Sequence, residues 1–577
     1  MTGRKPRKLL LRLFALLAVF ALVAAACGDD DDVASDDGTS SSDAGDGGDS
    51  GDSDGDGDDG SDPEPTATPI PPPPENTPTP EPEPDPVACA PDAILTWGYG
   101  DQIRDWDPHD SPAGQDQWYL MAVYDRLFHQ DPGGTVTPGL VESWSYSDDA
   151  LTLTMNLREG VVFHDGTPLT ADIVVQNLER SRGATDAAEG EEGFSTSFAA
   201  DLAAVTEVSA VDDMTVQLVT STANVTIPAV LSDRPGMMLH PSTFDGSANT
   251  APIGTGPFVL DSWTEGDGGE AVLSKFADYW DADNIQIGGL VLKDIREPSA
   301  RINALQSGEI DGARIDPVDF EAADANPDLT VQTGDTVELF WYLMDLNIAG
   351  GELAIPEVRQ AISLAIDRQA LVDGLAFGLG TATTTHMPPF YWAASPNRPG
   401  PEQDLDAARA LLAEAGVGEF SVPILAGSAQ GLTADVTQAV AAMLAEIGIT
   451  LEIEVAGENL ASRLFFDLDG GGVVGPWSGR PDPAQTIANI DGPGFVNIAK
   501  NSVPEIDALL LESNAATDPA ERQQLLWQID ELAAVNHVSG VALFSPKIVF
   551  AFKNNISGLP IYVQGKHEFR DACVAPE

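Results

Sequence analysis

Hydrophobic residues recur with two different periods along the chain, which predicts a mixture of strands and helices. Residues 151–157 alternate apolar and polar side chains, the pattern of a half-buried strand. Residues 357–377 place apolar side chains at helical spacing, and residues 404–415 and 433–447 predict two further helices that each stop at a glycine. The last of these leads into a predicted strand at 450–455. We therefore predict an α/β protein of several domains.

Polar residues at the ends of predicted helices add local detail. Asp518 can cap a helix whose first turn holds Pro519 and the capping-box partner Glu521. Arg359 and Arg368 lie near the ends of helical stretches, and we expect ion pairs there rather than ligand contacts. Both features belong to the scaffold of the protein.

The first 26 residues differ from the rest of the chain. Basic residues at 4–8 precede an apolar stretch at 9–26, which ends in small residues directly before Cys27. This is the layout of a secretory signal peptide, and it resembles a bacterial lipobox, in which the cysteine is lipidated after cleavage. The alternative is a plain transmembrane anchor. We predict a lipoprotein signal peptide at 1–26, lipidation of Cys27, and a protein anchored to a membrane that it does not cross.

Residues 27–88 have the composition of a disordered tether. They hold 20 acidic residues and no basic residue, first among Asp, Ser and Gly and then among Pro, Thr and Glu. Such a segment offers no core, and its proline-rich half favours a stiff, extended spacer. Asp52 to Gly57 match the start of a calcium loop, but Pro63 stands where the bidentate glutamate should be. We expect a spacer that binds no specific calcium ion.

The net charge excludes one class of partner. The chain has 28 Lys and Arg residues against 92 Asp and Glu residues, a formal net charge of −64. Nucleic-acid phosphates are bound by basic surfaces, so this composition excludes nucleic-acid binding as the main function. Anionic lipid headgroups are disfavoured for the same reason.

Two cysteines remain after Cys27. Cys89 opens the region that can fold, and Cys573 nearly closes it. In an exported protein an even pair is most simply a disulfide, whereas two unrelated thiols are uncommon outside the cytoplasm. We predict a structural disulfide between Cys89 and Cys573.

Short motifs follow one another in order from Trp97 to about Val563. They are Leu95–Tyr99, Trp106–His109, Val123–Leu127, Pro138–Trp144, Leu157–Asp172, Gly254–Phe258, Ala277–Trp280, Ala304–Asp311, Val358–Ile362 with Ala365–Arg368, and Ala408–Gly416. In number, order and spacing they resemble the family 5 extracellular solute-binding proteins of ABC importers, the dipeptide, oligopeptide and nickel-binding group.

The resemblance implies a two-lobed, periplasmic-binding-protein-like α/β fold of the class II or cluster C type, with a hinge between the lobes and an extra inserted domain. The implied segments are 89–128, 248–338 and 541–577 for lobe I, 129–247 for its inserted domain, and 339–540 for lobe II. Such proteins bind a solute in the cleft and close around it before they dock on the permease.

The same resemblance implies partners and a location. We expect a small-molecule or peptide ligand, an ABC permease with separate ATPase subunits, and a monomeric receptor without a cofactor. The receptor would lie outside the cytoplasm, lipid-anchored at the cell surface or in the periplasm.

Aromatic residues and a few directional polar groups are the expected lining of the cleft. Our candidates are Trp97, Tyr99, Trp118 and Trp341, the loop residues His386, Tyr391 and Trp392, and the cluster Trp477, Arg480 and Asp482. The alternative for each aromatic is ordinary core packing, although loops on a rigid scaffold commonly carry function.

The cluster at 477–483 departs from the family pattern. Peptide-binding relatives commonly carry Trp-x-Gly-Asp here, and that carboxylate receives the α-ammonium group of the peptide. This chain has Arg480 instead, which repels an ammonium and attracts a carboxylate or phosphate. Asp482 could substitute for the missing carboxylate, or it could pair with Arg480. We therefore expect an oligopeptide or another polar or anionic solute, including carbohydrate and opine-like ligands.

Other classes of function receive less support. The sequence has no His-Glu-x-x-His, no Gly-x-Ser-x-Gly and no phosphate loop, so we predict a protein that is not an enzyme. Seven scattered histidines provide no spaced ligand set for a dedicated metal site. The alternatives that remain are a structural or adhesive surface lipoprotein and a receptor for nickel or a metallophore.

Overall fold

The structure is a computed structural model. It describes residues 88–100, 102–111, 114–183, 196, 198–199, 201–337, 340–345, 351–427, 431–460, 463–464, 472–477, 479–492, 497, 501–538, 540–565 and 567–576. Cys27 and the Asp52–Gly57 segment lie outside the described residues, so lipidation of Cys27 and the expected lack of specific calcium binding stay predictions.

Strands and helices alternate along most of the described chain. The strands are β1 (Ile94–Tyr99), β2 (Phe128–Gln130), β3 (Val136–Pro138), β4 (Val141–Tyr146), β5 (Thr152–Leu157), β6 (Val205–Asp212), β7 (Thr215–Thr220), β8 (Phe258–Trp263), β9 (Glu270–Lys275), β10 (Gly289–Asp294), β11 (Gly312–Arg314), β12 (Leu329–Gly334), β13 (Phe340–Asp345), β14 (Gly380–Ala382), β15 (Phe420–Ala426), β16 (Ile449–Val455), β17 (Gly472–Trp477), β18 (Gly540–Pro546), β19 (Ile548–Lys553), β20 (Ile556–Ser557) and β21 (Cys573–Val574). The α-helices are α1 (Gln117–Val123), α2 (Ala171–Ser181), α3 (Ile227–Val230), α4 (Pro298–Ser307), α5 (Phe320–Asp324), α6 (Pro356–Ala365), α7 (Arg368–Leu375), α8 (Leu405–Glu414), α9 (Gly431–Ala445), α10 (Pro483–Ile490), α11 (Pro504–Ala515) and α12 (Pro519–Asn536).

The first sheet has seven strands in the order β12-β19-β11-β1-β10-β9-β8. β1 lies at its centre and runs parallel to both β10 and β11. A central strand is covered on both faces, which explains why its side chains from Leu95 to Tyr99 read as a nearly continuous apolar run. We call the part of the protein built on this sheet the first lobe.

A smaller, four-stranded sheet is formed by the part of the chain that lies between β1 and β8 in sequence. Its four strands are antiparallel in the order β4-β5-β7-β6, and helix α2 packs against it. Met155, Leu178 and Val216 are buried in a separate hydrophobic cluster at this sheet. The segment therefore has its own core, and we call it the inserted module.

The second sheet has six strands in the order β14-β18-β13-β17-β15-β16. β15 and β16 are parallel and are joined through α9, whereas β13 is antiparallel to β17 and β18. The part built on this sheet, with the helices α6 to α12, is the second lobe. β18 (Gly540–Pro546) pairs within this sheet. The second lobe therefore extends to the end of β18, beyond the expected boundary at 540/541.

The chain crosses between the two large sheets twice, after β12 and after β18. At these crossings the Lys547 ammonium lies 3.3 Å from the Asp335 carboxylate, and the Thr381 hydroxyl donates to the same carboxylate at 3.2 Å. Both crossing segments are therefore held together at one point, which is the expected position of a hinge.

Most predicted elements form within two residues of their expected bounds. The predicted helix at 357–377 is wrong in one respect, because it breaks at Ile366 into α6 and α7. The break occurs because the Asp367 carboxylate accepts a hydrogen bond from the backbone N–H of Ala370 and starts a new helix. Asp518 caps α12 as predicted, accepting from the N–H groups of Ala520 and Glu521.

Arg359 and Arg368 do not form the expected helix-end ion pairs among the described residues. The Arg359 guanidinium donates to the backbone carbonyl of Asn536 at 2.8 Å and to that of Leu353 at 2.9 Å. Arg368, which is almost fully buried, donates to the carbonyl of Ala542 at 2.9 Å. Both arginines therefore tie segments of the second lobe together through backbone acceptors.

The predicted disulfide is confirmed. Cys89 and Cys573 are bonded, with their Cα atoms 5.3 Å apart and 484 positions between them in the sequence. The bond joins the start of the folded region to β21, next to the hydrogen bond from the N–H of Ala90 to the carbonyl of Val574. In the part of the chain that the structure describes, no helix has the length and apolar character needed to cross a bilayer.

Candidate functional site

A pocket lies where the first lobe and the inserted module meet the second lobe. It is lined by Gln117, Met121, Arg126, Gln130, Ser232, Asp233, Pro481, Tyr562, Gln564 and Glu568. Helix α1 supplies the first two residues, the loop before α10 supplies Pro481, and the segment between β20 and β21 supplies the last three. Most of these side chains are buried, and the pocket itself is partly open to solvent.

Every charged side chain in the pocket wall has an opposite charge beside it. Arg126 forms an ion pair with Glu568, and Glu568 also lies 2.6 Å from Arg570. Asp233 lies 3.6 Å from the guanidinium of Arg234. Burial alone would raise the pKa of Glu568, but the two arginines hold it at about 2, so the carboxylate stays ionised.

A second group of buried polar residues supports this wall from behind. The Asp125 carboxylate accepts hydrogen bonds from the Tyr279 hydroxyl at 2.9 Å and the Trp280 indole at 2.8 Å, and it lies 2.5 Å from His129 Nε2. Arg570 Nη1 lies 2.9 Å from the other ring nitrogen of His129. Burial opposes ionisation of Asp125, but His129 and Arg570 lower its pKa. Through its contact with His129, Arg570 is held in place beside Glu568.

Hydrogen bonds close the pocket across the two lobes. The carbonyl oxygen of Pro481 accepts from the Gln130 amide at 3.3 Å and from the Gln564 amide at 3.4 Å. Further along the interface, the N–H of Val225 donates to the carbonyl of Asn514 at 2.8 Å. The loop at 479–482 is therefore held against the first lobe by neutral groups.

Asp482 and Arg480 have different surroundings, and no ion pair joins them in the described structure. The Asp482 carboxylate lies 2.6 Å from Arg522 and accepts the N–H of Ala484 at 2.8 Å, which caps α10. The Arg480 side chain is only partly buried, but its Nε is buried and meets no hydrogen-bond partner among the described residues. Burial raises the pKa of Asp201, and the Arg480 guanidinium counteracts part of this rise.

The aromatic candidates of the first strand lie in the core of the first lobe. Trp97 is fully buried against Phe550, with ring centroids 5.7 Å apart, and against His567. Tyr99 is also fully buried and stacks on Trp118 at 5.0 Å. None of these three candidates lines the pocket, and their environment matches the core-packing alternative.

This aromatic cluster leads to a pH prediction. Burial, with Arg314 nearby, lowers the pKa of His567 to about 3, while His567 Nε2 and the Tyr99 hydroxyl are 3.1 Å apart. An unfolded histidine takes up its proton near pH 6.5, so the contribution of His567 to stability is present above that pH and is lost in acid. Between pH 7 and pH 5 we expect a loss of about 2 kcal/mol from this group.

The measurement is urea unfolding of the wild type and of His567→Gln at pH 7 and pH 5. Glutamine keeps a hydrogen-bonding group for Tyr99 but does not titrate. The wild type should lose more stability than the variant on acidification, and two parallel pH profiles would contradict the assignment.

The loop candidates of the second lobe pack against the C-terminal helices. His386 is buried, and its Nδ1 lies 3.2 Å from the Asp491 carboxylate. Burial raises the pKa of Tyr391, whose hydroxyl has no hydrogen-bond partner among the described residues. The carbonyl of Trp392 accepts from the Trp527 indole at 3.1 Å. Tyr391 and Trp392 lie near the Asp482–Arg522 pair, and none of the three loop candidates belongs to the pocket wall.

Trp341 and Trp477 lie on neighbouring strands. In the register of β13 and β17, Trp341 is opposite Pro476 and Trp477 is opposite Phe340. The side chains of the two tryptophans are outside what the structure describes, so their place in the cleft stays a prediction.

Sequence reasoning did not identify most of the pocket wall. Gln117, Gln564 and Glu568 belong to no motif, and Arg126 was assigned to the scaffold motif Val123–Leu127. Pro481, which lines the pocket, lies between the predicted residues Arg480 and Asp482. Within the described ranges, no group of three or more His, Cys, Asp or Glu residues is placed to hold a metal ion.

Comparisons with known proteins agree on one family. Residues 135–494 match the model of the bacterial extracellular solute-binding proteins, family 5. The glutathione-binding protein GsiB of Escherichia coli (strain K12) is 26% identical over 509 residues, which cover 84% of this chain and 94% of that protein.

Two solved structures show the same fold. DppA from Helicobacter pylori, a periplasmic binding protein in complex with the peptide STSA, has a TM-score of 0.70 at 22% identity and covers 84% of this chain and 98% of its own. AgaA from A. tumefacien R10, in complex with agropinic acid, has a TM-score of 0.69 at 24% identity. The match covers 84% of this chain and 99% of AgaA. The two-lobed α/β fold predicted from the sequence is confirmed.

Proposed function

The chain belongs to the bacterial extracellular solute-binding proteins of family 5, and on this basis we propose that it is the lipid-anchored solute receptor of an ABC importer. It captures a small solute outside the cytoplasm and delivers it to the membrane permease. Binding is reversible and involves no covalent chemistry, and ATP is hydrolysed by separate subunits of the importer.

The pocket lined by residues of both lobes is the observation that carries this proposal. Its wall combines residues of α1, of the C-terminal segment and of the loop at 479–482. A ligand bound there touches both lobes and so stabilises the closed arrangement over an open one. A structural or adhesive lipoprotein would have no use for a polar pocket at this position.

The crossings at Asp335 and Lys547 provide the axis for opening and closure. On opening, the contacts of Gln130 and Gln564 with the Pro481 carbonyl separate, while the ion pair at the crossings stays close to the axis. A bound solute that touches both lobes stabilises the closed arrangement in addition to these neutral contacts.

The N-terminal segments fit a surface receptor. The signal peptide at 1–26 and Cys27 would anchor the protein, and the acidic and proline-rich tether would hold the folded part away from the membrane. We propose a monomer, because the pocket is completed within one chain.

The solute class remains that of a small polar molecule. GsiB is a glutathione-binding protein, DppA was solved with a peptide and AgaA with agropinic acid, so relatives of this fold accept chemically different ligands. In this chain Asp482 already pairs with Arg522, which argues against a free peptide held through its ammonium group at that carboxylate.

A thermal-shift screen tests the proposed function. The purified full-length chain would be mixed with di- to pentapeptides, glutathione, oligosaccharides, organic acids, and nickel with and without chelators. A solute at 100 times its dissociation constant should stabilise the protein by about 2.7 kcal/mol, a clear rise in Tm.

One outcome of this screen would contradict the proposed function. If no solute of any class raises Tm, the receptor function fails and the structural lipoprotein becomes the better account. A response to nickel alone would favour the metallophore alternative.

A further inference from the structure

Three carboxamide side chains line the pocket, and the amide oxygen of one of them has no hydrogen-bond partner among the described residues. Gln130 and Gln564 both donate to the carbonyl of Pro481. Gln117 is only 3% exposed, and its Oε1 is buried without a hydrogen-bond partner among the described residues. Burying an amide without a partner is unfavourable, so such a group in a pocket wall indicates a ligand atom that completes it.

The position of Gln117 fits this role. It is the first residue of α1, and Met121 lies one turn further along the same helix and also lines the pocket. The helix is buried along its whole length, so its packing fixes the direction of the Gln117 side chain. An amide held in this way offers both a donor and an acceptor to a bound solute.

The charges of the pocket are compensated within the protein. Arg126 pairs with Glu568, Glu568 with Arg570, and Asp233 with Arg234. A ligand charge that entered this pocket would lose part of its hydration and find no uncompensated counter-charge among the lining residues. The pocket therefore favours groups that hydrogen-bond without carrying a charge.

The neighbouring loop supports the same reading. The carboxylate of Asp482 is already paired with Arg522, so it is not free to receive a ligand ammonium group. Pro481 lines the pocket, whereas the residues on either side of it do not. Arg480 and Asp482, which could select a ligand by charge, thus lie outside the pocket wall.

We propose that the solute places an uncharged hydrogen-bonding group, a hydroxyl or an amide, against Gln117, and that the pocket selects this group over a free ammonium or carboxylate. This inference rests on the proposed function and names the chemistry of its ligand. Hydroxyls point to a saccharide or polyol, and amides point to a peptide whose ends lie outside the pocket or are blocked.

Calorimetric titration of the full-length chain with five probes tests the proposal. Four probes are charge forms of one dipeptide: free Ala-Ala, N-acetyl-Ala-Ala, Ala-Ala-amide and N-acetyl-Ala-Ala-amide. The fifth is maltotriose, a neutral source of hydroxyls. The doubly blocked dipeptide or maltotriose should bind at least tenfold tighter than free Ala-Ala, and its affinity should not change between 50 and 500 mM NaCl, since screening acts only on charges.

Two substitutions of Gln117 separate binding from folding. Gln117→Leu removes the hydrogen-bonding group and should weaken the neutral probe at least tenfold. Gln117→Glu keeps the shape but adds a charge, and should shift the preference at least tenfold towards the cationic Ala-Ala-amide. Gln528→Leu is the matched control, because Gln528 is an exposed glutamine on α12, and it should leave all affinities unchanged.

The outcomes distinguish this inference from the proposed function. If free Ala-Ala binds at least tenfold tighter than its doubly blocked form, the protein is a receptor that selects charge, and the inference fails alone. If Gln117→Leu binds the neutral probe as the wild type does, Gln117 is not the contact and the inference fails. If none of the five probes binds, the inference fails, and the broader solute screen decides the receptor function separately.

Discussion

Replacing Arg180 with methionine should lower the free energy of unfolding by about 3–5 kcal/mol, because it leaves the buried carboxylate of Asp107 without its counter-charge. Arg180 is 0% exposed and Asp107 is 2% exposed. The guanidinium donates two parallel hydrogen bonds to the carboxylate, at 2.9 and 2.6 Å. Since Asp107 follows β1 and Arg180 lies on α2, the pair joins the first lobe to the inserted module.

The same helix provides a matched control. Arg182 makes an equally close two-point contact with Glu179, at 2.8 and 2.7 Å, but both side chains are partly exposed. Arg182→Met should therefore cost less than about 1 kcal/mol in urea unfolding. Adding Asp107→Leu to Arg180→Met should recover part of the lost stability, because the uncompensated charge is then removed. Equal losses for Arg180→Met and Arg182→Met would contradict the account.

Removing the disulfide should be the other large change. The variant with both Cys89→Ala and Cys573→Ala should lose about 2–5 kcal/mol of stability, because the unfolded chain is no longer constrained between two distant positions. The bond also secures the C-terminal segment, whose Tyr562, Gln564 and Glu568 line the pocket. We therefore expect ligand affinity to fall together with stability.

Denaturant unfolding and calorimetric titration of the same variant check these two effects. The control is the wild type kept oxidised in the same buffers. A variant with unchanged unfolding would show that the bond does not constrain the chain. A variant that unfolds more easily but binds its solute with unchanged affinity would show that the C-terminal segment keeps the pocket in place without the bond.

The fold could be predicted largely from sequence because its signals are local. Periodicity and helix caps identified β5, α8, α9, β16 and α12, and the order of motifs identified the family. The membership of β18 could not be predicted in this way. Its residues are apolar except for Ser545, and only pairing with β13 and β14, which are distant in sequence, places it in the second sheet.

The pocket was much harder to predict. Aromatic residues such as Trp97 were candidates because rigid apolar surfaces suit both a cleft and a core, and sequence does not distinguish the two. The pocket wall instead uses Gln117, Gln564 and Glu568, which are ordinary polar residues until the fold brings three distant segments together. The loop at 480–482 was a candidate because Arg480 stands where peptide-binding relatives commonly carry an aspartate.

The buried arginines show a further limit. A sequence places Arg359 and Arg368 near helix ends, where acidic partners are the usual expectation. Their long-range acceptors are the backbone carbonyls of Asn536 and Ala542, and every residue type offers the same carbonyl. The sequence therefore contains no signal for these contacts.

The central claim is that a small solute binds between the lobes and draws them together. The most direct test measures the distance between spin labels at two exposed positions, introduced as Asp261→Cys on the first lobe and Glu414→Cys on the second, with and without the best solute from the screen. The native Cys89 and Cys573 are already bonded to each other, and Cys27 is replaced by alanine, so that only the two introduced cysteines react with the label. Our account predicts that the solute shifts the distances towards one shorter, narrower distribution. Saturating binding with an unchanged distribution would contradict it.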